Sequence, residues 1–191
     1  MKITDRKSEI IVTAAKLFRK RGYNAVSMRD IAQELGIKAA SLYNHIKSKQ
    51  EILSDIVLNV AESFTNHMDE IYPQSINSIQ KLEAIIQSHI DITVQKTDFL
   101  ACMNNDWMHL DEENLAAYLK MRDAYEASFR KILQEGITKN ELENQNSEIV
   151  IFSILTTLRT LYLWYSKKSS VEVEVLKKDL PKTLLHGIVK N

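Results

Sequence analysis

The chain has 191 residues, 45% of them apolar, with four glycines, two prolines and a single cysteine. So few breakers exclude a turn-rich all-β fold and favour long helices in one large or two small domains, and a lone cysteine excludes an internal disulfide. Net charge is zero, yet residues 1–56 carry 11 Lys+Arg against 6 Asp+Glu while residues 57–191 carry 14 against 19, so a basic quarter that suits a polyanion precedes an acidic body.

The opening stretch MKITDRKSEI lacks the apolar core of a signal peptide, and Cys102 fits a reducing compartment, so a cytoplasmic protein is expected. Ile10, Ala14, Leu17 and Phe18 recur at helical spacing and predict a first helix over residues 6–21, with Arg19, Lys20 and Arg21 complementing its dipole. Gly22 reads as a left-handed stop, after which Tyr23 can fold back on Phe18. Ser27 is a good N-cap and Asp30 sits at the third helical position of a second helix that Gly36 ends. Ile37 plugs the turn, and a third helix follows over residues 39–46 with Leu42 and Ile46 pointing inward.

Two short helices joined by a glycine turn make a helix-turn-helix. The small Ala39, Ala40 and Ser41 would let the third helix approach base edges, where methyl groups meet thymine methyls, and Tyr43, Asn44 and His45 can donate to phosphates or bases. On spacing alone an ordinary helical hairpin remains open.

Residues 10–53 resemble the DNA-binding domain of the TetR/AcrR family of bacterial repressors. The resemblance is carried without a gap by Ala14-Ala15, Leu17-Phe18, Gly22, Ser27, Asp30-Ile31-Ala32, Gly36-Ile37, and Leu42, Tyr43, His45, Lys49 and Leu53. It implies that Ser27, Arg29, Ala39, Ala40, Ser41, Tyr43, Asn44, His45 and Lys49 face double-stranded DNA. One departure is Lys38, where the family often has Ser or Thr; a capping oxygen is lost, at a typical cost of about 0.5–2 kcal/mol, and Lys38 is expected to reach a phosphate instead.

A connecting helix is expected over 49–72, broken at Pro73, then a helix over 76–96. Thr97-Asp98 are expected to cap a short helix and Asp111 the next, which Gly136 ends. Ser147 is expected to cap an almost uncharged helix to Ser166, too short and too polar for a membrane span. The last segment alternates like a strand at Val171–Val175 but repeats every four residues at Leu176, Leu180, Leu184 and Ile188; with no strand to pair with, a helix kinked near Pro181 is expected. The fold expectation is therefore all-α, about nine helices, with a helix-turn-helix domain over residues 1–50 and a helical effector-binding and dimerisation domain over 51–191.

For this body the resemblance implies a homodimer whose last two helices form a four-helix bundle with their symmetry mates, assigned to Phe152, Leu155, Leu158, Leu161, Leu176, Leu180 and Leu184. Met and aromatic residues cluster further back. His89, Phe99, Met103, Trp107, Tyr118, Met121, Tyr125 and Phe129 are candidates for a small apolar effector, lipid- or acyl-CoA-derived molecules being one class, though each could equally be plain core. Asp106, His109 and Glu113 have a spacing that a continuous helix could turn into a metal site, but a charged helix end explains them as well and no metal or other cofactor is expected. Cys102 sits in an apolar run, and no phosphate loop or paired nucleophile and base is present, which speaks against an enzyme. The expected function is a homodimeric repressor that leaves a pseudo-palindromic operator when an apolar ligand binds. The alternatives are a DNA-binding regulator with no small effector and an all-α enzyme carrying a helix-turn-helix.

Overall fold

A computed structural model of the protein describes residues 6–167, 171–186 and 188–189. Within them the helices are α1 (Arg6–Arg21), α2 (Met28–Glu34), α3 (Ala39–Tyr43), α4 (Lys49–Ile71), α5 (Ser78–Gln95), α6 (Thr97–Asp106), α7 (Glu112–Thr138), α8 (Ser147–Tyr165) and α9 (Val173–Leu185), with a 3-10 turn at Trp107–His109. An isolated bridge, Leu142 to Val189, is the sole β pairing among the described residues, and Val173–Val175 is helical rather than a strand. The expectation of an all-α chain is met.

The chain divides into two compact units, Met1–Ala61 with Lys96–Leu119, and Glu62–Gln95 with Lys120–Asn191. This division crosses the expected boundary at residue 50. The physical reason is α6, which packs on α1 and brings Cys102 against the Ala15 carbonyl, so α6 and the start of α7 share a core with the helix-turn-helix.

In the first unit, local chemistry sets the helix ends. Gly22 and Gly36 adopt φ of +83° and +66°, values an L side chain strains to reach, and both stop a helix as expected. Tyr23 packs edge-on to Phe18 at 5.2 Å. Ser27 and Asp30 form a reciprocal capping box on α2. At the start of α4 the Ser48 hydroxyl accepts from the Glu51 amide, and the Glu51 carboxylate accepts from the Lys47 amide, one residue before the cap. Leu42 and Ile46 are fully buried, but α3 itself closes at Tyr43, three residues short of the expected end.

The second unit is a core of Leu82, Ile86, Ile90, Phe129, Ile132 and Leu158, in which α5 packs on α8 and α9. Asn77 and Gln80 cap the start of α5 reciprocally. Three expected helix ends are corrected. Thr97 lies inside α6, and Lys96 holds the N-cap position without a capping bond, its ammonium donating to Asn59 Oδ1 at 2.8 Å instead. Asn146, one residue before Ser147, caps α8 by accepting from the Glu148 amide. Gly136 does not end α7, which runs on to Thr138 and closes at Asn140, φ +61°, with the Glu141 amide bonded to the Gly136 carbonyl and the Asn140 amide to that of Ile137. Asp111 does cap α7, accepting from the Asn114 amide at 3.0 Å.

Candidate DNA-binding site

With Leu42 and Ile46 locked in the core, the rest of α3 and the turn after it face outward. Ala40, Ser41, Tyr43, Asn44 and His45 are exposed and Ala39 is half-buried, which is the small-then-polar surface expected of a recognition helix. Tyr43 leaves 53% of its surface open, a large ring with no core to fill. Arg29 on α2 and Lys38 at the start of α3 are also exposed. Lys38 holds the N-cap position but makes no side-chain cap, since a donor-only ammonium cannot accept from the helix amides as a Ser or Thr hydroxyl would.

Two expected DNA contacts are occupied within the chain. The Ser27 hydroxyl donates to the Asp30 carboxylate and accepts from the Asp30 amide, so its one proton is committed to the cap. These bonds, with Arg21 at 3.1 Å, hold the Asp30 carboxyl down at about 2. Lys49 donates to the Tyr23 and Val26 carbonyls at 3.0 and 2.9 Å and lies 4.2 Å above the Tyr23 ring. Its charge thus ties the α1–α2 corner to the first turn of α4. Ser27 and Lys49 thus both help hold the corner from which α3 projects.

Tyr23 is the hub of that corner. Its hydroxyl donates to Gln50 Oε1 at 2.8 Å, Gln50 Nε2 donates to the His109 carbonyl at 2.8 Å, and the His109 ring stacks on Tyr23 at 5.5 Å. The buried Asp106 carboxylate accepts from the Tyr23 amide, and burial nonetheless pushes its pKa up. Asp106 and His109 are therefore both spent on Tyr23 while Glu113 is exposed, and no group of three His, Cys, Asp or Glu suited to a metal occurs among the described residues. The tie through His109 and Gln50 was invisible in the sequence, because its partners lie 59 residues apart.

The effector candidates divide between the units. Phe99, Met103, Trp107 and Tyr118 belong to the first, where Trp107 and Tyr118 approach to 5.7 Å and Met103 is buried. His89, Met121, Tyr125 and Phe129 belong to the second. There His89 Nε2 and the Tyr125 hydroxyl are 2.8 Å apart, and Phe64, which the sequence reading missed, packs 4.4 Å from the His89 ring. Its signal was its place on α4 four residues from both Val60 and Met68. Burial drives the His89 pKa down to about 3, helped by Arg159 and His67, and pushes the Tyr125 hydroxyl up, so both are neutral. Phe129 is simply core. Cys102 is buried, and burial raises its thiol to about 12, which leaves no thiolate to react.

The expected interface residues divide between the chain's own core and its surface. Leu155, Leu158, Leu161 and Leu176 are buried in the chain's own core, and Leu180 and Leu184 are half-buried against it. The open face of α8 is instead Ile149, Phe152, Leu163 and Trp164, at 65%, 69%, 48% and 44% exposure. Of the seven expected residues, Phe152 is the one fully on that face.

Comparison with known proteins accounts for this arrangement. Residues 10–56 match the bacterial regulatory proteins of the tetR family, and residues 75–188 match the tetracyclin repressor-like C-terminal domain. The HTH-type transcriptional repressor KstR2 of Rhodococcus jostii is 25% identical over 185 residues, 96% of this chain and 91% of that protein. The solved ketosteroid transcriptional regulator KstR2 of Mycobacterium tuberculosis superposes with a TM-score of 0.93 at 19% identity, covering 100% of this chain and 98% of that one. AibR, solved in complex with isovaleryl coenzyme A and operator DNA, has a TM-score of 0.81 at 20% identity over 94% of this chain and 97% of its own. At such identities the structural likeness is one of fold, whereas the two family matches together span most of the chain. It belongs to the TetR family of DNA-binding transcriptional regulators.

Proposed function

We propose that this regulator is a homodimeric repressor that holds a pseudo-palindromic operator through α3 and releases it when a small apolar ligand binds its helical body. The observation that carries the DNA part is the outward surface from Lys38 to His45, anchored from behind by Leu42 and Ile46 and matched by no packing of its own. Dimerisation is supported by the open face of α8: four large apolar residues along one helix side are costly to leave in water, and a second copy related by a two-fold axis covers such a stripe with itself.

The ligand class is supported by the neutral His89–Tyr125 pair set among Phe64, Ile86 and Ile90, a polar mark in an apolar wall. The ketosteroid regulator and the isovaleryl-CoA complex of AibR favour lipid- or acyl-CoA-derived effectors. Selection from random duplexes is the direct test. It should return a two-fold sequence with half-site centres about 34 Å apart or a multiple of that. Acyl-CoA thioesters of graded chain length should then weaken that complex, by about 5–150-fold for a coupling of 1–3 kcal/mol. Selected sequences without symmetry would refute the dimeric reading. Indifference to every acyl-CoA and free lipid tried would refute the ligand reading.

A further inference from the structure

We propose that the effector carries a carbonyl oxygen and that the His89–Tyr125 pair recognises it by donating one hydrogen bond to it. This rests on the ligand reading of the helical body and narrows that ligand from apolar to apolar with one embedded acceptor.

The pair holds one proton more than it uses. His89 Nε2, from α5, and the Tyr125 hydroxyl, from α7, meet at 2.8 Å. Burial disfavours the imidazolium and the phenolate alike, so both groups are neutral. A neutral imidazole has one N–H and a phenol one O–H, which makes two protons for one mutual bond. If the hydroxyl donates to Nε2, the Nδ1–H is left over. If Nε2 carries the proton and donates, the phenolic O–H is left over. Neither residue has a second hydrogen-bond partner among the described residues. A donor left unmade beside a buried ring is destabilising by more than an unused lone pair.

The surroundings decide what can take that proton. Phe64 of α4 lies 4.4 Å from the His89 ring and 6.1 Å from the Tyr125 ring, with Ile86 and Ile90 in the adjoining core. Phe64 and Tyr125 are half-buried, so each keeps ring surface against which an apolar molecule can lie. A pure hydrocarbon there would strip water from the pair and leave its donor unmade. A hydroxyl would bring another proton to place. A carbonyl oxygen accepts and brings none. Arg159 of α8, whose positive field helps lower the His89 pKa, also favours the negative end of a C=O dipole aimed at the pair.

The test compares probes that differ at that one oxygen. An acyl-CoA thioester and the S-alkyl-CoA thioether of equal chain length form one pair, and a fatty-acid methyl ester and the matching alkyl methyl ether form the other. Titration calorimetry on the full chain reads each Kd. In at least one pair the carbonyl probe should bind about 5–150-fold more tightly than its ether, the range for a buried donor left unmade. Replacing both residues, His89→Phe with Tyr125→Phe, removes every donor and should bring that ratio close to one; His89→Leu with Tyr125→Phe serves if the larger ring disturbs the core. Equal binding of both members of each pair by the parent would overturn the carbonyl assignment and leave the ligand reading standing. A preference that survives both double variants would overturn it too, since the oxygen would then be read elsewhere. A parent that binds none of the four probes would remove the ligand reading and this assignment together.

Discussion

Gly136 offers a clean test of the packing in the second unit. It lies inside α7, where replacement by alanine normally strengthens a helix by about 0.5–1 kcal/mol. A Cβ placed there would meet Leu142 Cδ1 at 2.6 Å, Leu142 Cγ at 2.8 Å and Ser78 Cβ at 2.8 Å. The Leu142 side chain can swing, but the Ser78 Cβ is fixed to the first turn of α5 and Ser78 is buried. Relieving that contact means moving one helix against another, and overpacking of this kind costs about 1–3 kcal/mol. With Ser78 rigid, the upper part of that range applies, and the net loss is about 2 kcal/mol. For a chain of this size, that lowers the thermal midpoint by roughly 4–8 °C. Scanning calorimetry on Gly136→Ala reads it directly, and adding Ser78→Gly should return part of the loss as a coupling of about 0.5–3 kcal/mol. A midpoint raised by a few degrees would mean that helix propensity won and that the α5–α7 approach is looser than described.

Gly22→Ala meets no atom within 4 Å but keeps a φ of +83°, so a loss of about 1–2 kcal/mol should appear in urea midpoints as pure backbone strain. Ser27→Ala removes the α2 cap and should cost about 0.5–2 kcal/mol in the same assay, with DNA affinity falling only as far as α2 frays. Phe152→Glu should give a folded monomer by sedimentation, whereas Leu158→Glu, at a fully buried position, should unfold the second unit; the reverse pattern would put Leu158 rather than Phe152 at the interface. His89 is held neutral to about pH 3, well below the ordinary histidine value of about 6.5, beside Tyr125, Arg159 and His67. The unfolded chain therefore binds a proton that the folded one refuses. Stability should be intact above about pH 6.5 and fall by up to about 1.4 kcal/mol per pH unit below it, a slope that His89→Phe should reduce and that a parent-like acid profile for that variant would contradict.

What the sequence made legible was local. A positive φ needs only a glycine, and a capping box needs only Ser27 and Asp30 three residues apart, so α1, α2 and the turn before α3 were readable from single residues. Where two neighbours compete for one job, as Ser147 and Asn146 do for the α8 cap, the backbone decides and the composition does not. Gly136 misled for a related reason. A glycine that ends a helix and a glycine that admits another helix look alike until Ser78 and Leu142 are in place.

What charge and apolarity leave open is the partner. Lys49 reads in the sequence as a cation beside a recognition helix, and nothing local shows that the Tyr23 and Val26 carbonyls, 26 and 23 residues back, accept from its ammonium. α8 has one acid and one base in 19 residues, so its leucines could serve an interface or a core equally well. A helix this poor in charge can bury residues on more than one side, and periodicity cannot rank them. The fold does so by laying Leu155, Leu158 and Leu161 on α5 and leaving Phe152 and Leu163 outside. Those outward residues are the ones on which the proposed dimer rests, and Phe152→Glu is the variant that tests them.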